Sequence, residues 1–186
     1  MPSLPITTTI RFSLGFVVSL APFFLGSCAE PTDTSTMTAA PMTFTTKHAG
    51  SVSVTVTGGS DKAALDASTI VNSDFAEAIK KSLAQSGLFA SVAAAGQSEQ
   101  YQLAAAIVRV DQPEIGRAMT GTIEVNWTLT QLSNKYVFWK KTIVSSYTAK
   151  AGEAFSGVDR LRLANEGAAR VNIQDALTQI SVLPLP

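Results

Sequence analysis

Few side chains in this chain have the chemistry for catalysis, and their spacing assembles no familiar set. There is one histidine in 186 residues. His48 sits where a low-charge stretch ends, and it is expected to be a solvated loop residue. Without a second histidine or a free thiol, the common zinc donor sets are out of reach. A Ser-His-Asp arrangement would have to use His48, and no G-x-S-x-G elbow presents a serine. Gly58-Gly59-Ser60 lacks the lysine and the spacing of a phosphate loop. Asp111 and Glu114 flank Pro113 closely enough to share a turn as an acid/base pair, but solvated loop charges are the simpler reading. The expectation is a protein that is not an enzyme, with no metal and no cofactor.

Cations offer a different chemistry. Lys140-Lys141, with Arg117, Arg109 and Lys80-Lys81, are candidates for holding an anionic lipid headgroup, since Arg binds phosphate as a fork and Lys as a point charge. Of these, Arg117, Lys140 and Lys141 form the proposed set. Long cations on an exposed sheet also protect strand edges against aggregation. The run Glu114–Gly121 (EIGRAMTG) has two glycines, Ile115 and an exposed-looking Met119, the composition of a loop that carries partner contacts or merely connects strands. Phe155, in AGEAFS, either plugs the edge of the core or touches a partner. Ile115, Met119 and Phe155 are the candidate partner loop residues.

Cys28 has the most informative neighbours. Arg11 precedes an apolar stretch, Phe12 to Leu25, too short for a spanning helix of about 20 residues but the length of a signal-peptide core. Leu25-Gly26-Ser27-Cys28 then resembles the lipobox of bacterial lipoproteins. The resemblance implies cleavage after Ser27 and acylation of Cys28, palmitate among the acyl chains, so that residues 1–27 are a signal peptide. Three chains hold effectively permanently, where one myristoyl-sized chain binds only marginally. Ala29 stands where an aspartate would signal inner-membrane retention, which implies the outer membrane, on the leaflet facing the periplasm.

Removing residues 1–27 leaves 159, enough for one domain with a proper core. The whole chain carries 14 basic and 14 acidic side chains, and only Arg11 is lost. No field of one sign draws it to nucleic acid. Its single cysteine lies in the lipobox, so no disulfide is available.

The elements that must position these residues follow from periodicity. Residues 28–47, rich in Thr, Pro and Ala, are expected to be an acylated flexible tether, reaching on the order of 25 Å, although Met42 and Phe44 could tack its end onto the domain. Residues 48–186 are the partner-binding domain. Ser51 to Thr57 alternates as a strand that Gly58-Gly59 stops. A helix begins at Asn72 or Ser73, either able to cap it, carries Phe75, Ile79 and Leu83 on one face, and ends at Gly87. Tyr101–Val110, Thr122–Leu132 and Tyr136–Ala149 are three further strands in an antiparallel meander. In the second of these Ile123, Val125, Trp127 and Leu129 point one way. A last helix runs from about Asp159 to Val182, with Ala169, Ile173, Ala176, Leu177 and Ile180 on one arc, and Arg162 and Glu166 at its edge. The fold class is α+β: a two-layer sandwich, a four-stranded mixed sheet (β-α-β-β-β-α) covered by two helices. The first two strands would be parallel if they are neighbours.

This order of elements behind a lipobox resembles a group of small envelope lipoproteins: the LPS-assembly lipoprotein, the auxiliary lipoproteins of ABC-type transporters, and the YajG type, whose Gly-x-Ala-Phe-like run is here Gly152-Glu153-Ala154-Phe155. The resemblance implies a non-catalytic, membrane-anchored protein that docks an outer-membrane β-barrel or an envelope ABC transporter. A lipid or lipopolysaccharide carrier is the alternative, and a hydrolase using His48 or Asp111 and Glu114 a third class.

Overall fold

A computed structural model describes residues 33–61, 69–111 and 118–186. The expectations for the signal peptide, Cys28, Glu114, Ile115 and Arg117 lie outside these residues. Five strands form one open sheet: β1 (His48–Thr57), β2 (Phe89–Val92), β3 (Tyr101–Asp111), β4 (Met119–Gln131) and β5 (Val137–Ala149), in the order β2-β1-β3-β4-β5. Both neighbours of β1 run parallel to it, while β3, β4 and β5 are antiparallel. The described helices are α1 (Thr34–Met37), α2 (Asn72–Ser86) and α3 (Gly157–Ser181). The α+β class and the parallel first pairing stand as expected. The count of four strands and two helices is corrected to five and three by β2 and α1.

Strict alternation built β4. Ile123, Val125, Trp127 and Leu129 are fully buried under the helices, because successive strand residues point to opposite faces. In α2, Phe75, Ile79 and Leu83 fall on one buried face. Gly87 ends this helix in the left-handed conformation, φ 58°, and its N–H donates to Leu83 O at 3.1 Å. Its start differs from expectation. Val71 holds the cap position without a side-chain bond, and Asn72 turns instead to the preceding loop. There its Oδ1 accepts from Gly59 N at 2.9 Å and its Nδ2 donates to Asp61 Oδ1 at 2.7 Å.

Residues 33–47, expected to be tether, are packed onto the domain. Met37 and Ala39 are buried in the main core, with Met42 and Phe44 against it. Ser82 Oγ donates to Ala78 O at 2.7 Å and accepts from Ala39 N at 2.9 Å. A four-residue helix whose one buried apolar residue is Met37 has too few positions to show a period, so the packing was invisible in the pattern.

Two glycines let α3 lie close against the sheet. A Cβ on Gly121 of β4 would stand 2.6 Å from Asn165 Oδ1 and 2.7 Å from the Ala164 carbonyl carbon. One on Gly167 of α3 would overlap the Tyr147 ring at Cγ and Cδ1. Gly167→Ala is therefore expected to lose about 1–3 kcal/mol in urea unfolding. Gly152→Ala, with nothing within 4 Å, should leave the midpoint unchanged.

Candidate functional site

Adjacent strand residues face opposite ways, and this separates the two lysines. Lys140 stands opposite Thr128, on the sheet face away from the helices, whereas Lys141 stands opposite the buried Trp127 on the helix side. Arg109 is held by Asp111 at 3.2 Å, with Glu124 at 3.9 Å. Lys81 Nζ lies on α2 and donates to Thr34 Oγ1 at 3.3 Å. Arg109 and Lys140 stand on the same open sheet face, opposite Glu124 and Thr128, whereas Lys141 lies on the helix side and Lys81 on α2, so Lys140 and Lys141 do not converge on one headgroup.

His48 is corrected from a solvated loop residue to a buried one. It opens β1, 5% exposed, with its ring tilted on Phe89 at 5.0 Å. Nε2 lies 3.1 Å from Ile180 O. A carbonyl only accepts, so this nitrogen carries the proton. The ring ties the start of the sheet to the end of α3 and is packed as a core side chain.

The two described members of the candidate loop part company. Met119 is 3% exposed, packed with Ala149 and Ala164, so its exposed appearance in the sequence is overturned. Phe155 is the opposite case. Its side chain stands free in the turn between β5 and α3, at 105% relative exposure, and plugs nothing.

Sequence reasoning missed the polar contacts under α3. Asn172 is fully buried. Its Oδ1 accepts from Trp127 Nε1 at 2.8 Å, and its Nδ2 donates to Ile143 O at 2.9 Å and Ser145 Oγ at 3.2 Å. Ser145 Oγ continues to Asp175 Oδ2 at 3.2 Å. One amide thus satisfies a buried indole and a strand carbonyl, a structural role. Glu166, 3% exposed, receives Asp33 N–H on Oε1 at 3.0 Å. Burial pushes its carboxyl above the ordinary 4.5, opposed by that N–H and by Arg162. Only the spacing of Glu166 on the apolar arc of α3 hinted at this.

The sheet face away from the helices is hydroxyl-rich. Thr120 and Thr148 meet at 2.8 Å, as do Thr122 and Ser146, and Thr142 Oγ1 donates to Asn126 Oδ1 at 2.5 Å. A cavity of about 320 Å³ lies between Gly58–Ser60 and Ile107–Val110. Two amides that would greet an anion there are already committed, Gly59 N to Asn72 and Ser60 N to Ile70 O.

No protein-family model matches this chain, and no curated protein matches it by sequence. Solved structures do. A protein from Xanthomonas campestris, of family-model DUF330, superposes with TM-score 0.56 at 16% identity, over 77% of this chain and 90% of that one. The hypothetical protein CT253 from Chlamydia trachomatis gives 0.52 at 11% identity, over 72% and 96%. A minor lipoprotein from Acinetobacter baumannii matches more loosely, at 0.42 and 10% identity over 71% and 92%. The first two share the fold, and the class so defined is an α+β sandwich with one open mixed sheet.

Two outcomes are expected. Asn172→Leu strands the Trp127 N–H and the Ile143 carbonyl, with a loss of about 1–3 kcal/mol in chemical unfolding. The raised pKa of Glu166 means the native state binds its proton more tightly than the unfolded chain. Stability should therefore fall as pH rises from 4.5 through the raised value. Glu166→Gln should flatten that part of the melting-temperature profile.

Proposed function

We infer that the chain is a lipid-anchored, non-catalytic bacterial envelope protein that docks a protein partner in envelope assembly or transport. The observation that carries this reading is the order Leu25-Gly26-Ser27-Cys28, an acylation signal that ends five residues before the packed segment opening at Asp33. Acyl chains on Cys28 confine the domain to the outer-membrane leaflet facing the periplasm. Confinement converts docking into an encounter at high effective concentration, without a large interface. The partner is an outer-membrane β-barrel, as for an LPS-assembly lipoprotein, or an envelope transporter, as for an ABC-type auxiliary lipoprotein. The carrier alternative needs cations around one groove, and the opposed directions of Lys140 and Lys141 count against it.

Two measurements test the reading. In detergent phase partition of whole cells, the native chain is expected in the detergent phase, and Cys28→Ser in the aqueous phase. Equal partition of both would end the anchoring claim. Crosslinking in intact cells should then recover a β-barrel or an inner-membrane transporter with the acylated protein. Recovery of bound lipid and no second protein would replace docking by carriage.

A further inference from the structure

Phe155 stands exposed in the turn that leads into α3, the helix on which Asp33 docks. Cys28 is five residues from Asp33, and an extended chain spans at most ~3.6 Å per residue, so the acylated residue lies within ~18 Å of Asp33. Asp33 is not loose. Its N–H donates to Glu166, its carboxylate caps α1 through Ser35 N at 2.8 Å, and the next turn is held by Arg170 Nη1 on Thr36 O at 3.1 Å. On the anchoring reading, the bilayer lies within that reach of the middle of α3, where Asp33 docks.

Side chains four residues apart share one side of a helix. Val158, Arg162 and Glu166 follow one slowly turning stripe, from exposed Val158 to buried Glu166, and Val158 is about two turns, ~12 Å along the axis, from the point where Asp33 docks. Val158 is 66% exposed and Phe155, just ahead of the Ser156 cap, 105%. The turn presenting them is ordered. Glu153 N donates to Lys150 O at 3.0 Å, Arg160 Nη1 to Ala154 O at 3.2 Å, and Asp159 N to Ser156 Oγ at 3.0 Å. A turn tied at three points holds an aromatic ring out of its own core, where water is its worst solvent.

We propose that Phe155 and Val158 are a membrane-contact tip, inserting into the acyl–headgroup boundary of the bilayer that holds Cys28. This rests on the anchoring reading above. The tip adds a second attachment beside the acyl chains and fixes the orientation of the domain. The hydroxyl-rich sheet face then points off the bilayer.

Acylation leaves no free thiol in the mature chain, so an introduced cysteine takes a spin label alone. Phe155→Cys and, on the uncovered sheet face, Val144→Cys (57% exposed) are purified as acylated full-length protein. They are placed in phosphatidylethanolamine/phosphatidylglycerol vesicles, with the mass of the N-terminal peptide checked. The label at 155 should collide several-fold more with oxygen than with a water-soluble nickel complex, relative to the label at 144. An acylated Cys28 with both labels equally aqueous would overturn the tip and leave the anchor standing. An N-terminal peptide without acyl mass would overturn both.

Discussion

The contact between α3 and the β4–β5 pair sets the position of everything else. Gly121 and Gly167 remove the Cβ atoms that would hold the helix off the sheet. At this separation Asn172 reaches both the Trp127 indole and the Ile143 carbonyl. A buried unpaired N–H or C=O would cost about as much as several packed methyl groups gain, so the amide and the close approach depend on each other. Tyr147, whose ring fills the space a Cβ on Gly167 would need, carries Arg170 at 5.1 Å from its ring centroid. That guanidinium in turn holds Thr36 O, and one turn earlier Glu166 holds Asp33. The same helix thus closes the core and clasps the incoming chain.

The clasp changes what the segment after Cys28 can do. Nineteen flexible residues would let the domain wander over tens of ångströms and meet partners in any orientation. With residues 33–47 laid across α2 and α3, the segment that reads as tether belongs to the folded surface. On the docking proposal, such a domain would meet a partner from a limited set of orientations, with part of the orientational cost met before the encounter. The buried Glu166 is a weak point in the arrangement, because its charge is desolvated and its compensation comes from a main-chain N–H and a neighbouring arginine.

Sequence was a good guide wherever an apolar period ran long enough. The alternation from Ile123 to Leu129, the four-residue spacing from Phe75 to Leu83, and the arc ending at Ile180 each placed a face correctly. β2 was not legible, since four residues with Phe89 buried and the next two exposed have no readable alternation. α1 failed for the same reason. The candidate site was less legible still. A lone histidine beside polar residues looks solvated until Ile180 O and the Phe89 ring are seen around it. Met119 and Phe155 carry similar apolar character, and only the tertiary neighbours decide that one is packed and the other bare. Lys140 and Lys141 were adjacent in sequence and opposite in space, as a strand requires.

Neutron reflectometry on the acylated protein bound to a supported bilayer tests the central claim most directly. A domain clasped at its own entry should show protein density beginning within the ~18 Å that the chain from Cys28 to Asp33 can span. A hydrated gap on the order of 25 Å, the reach of nineteen free residues, would mean that α1 releases from α3 at the membrane and that the anchor is a tether after all.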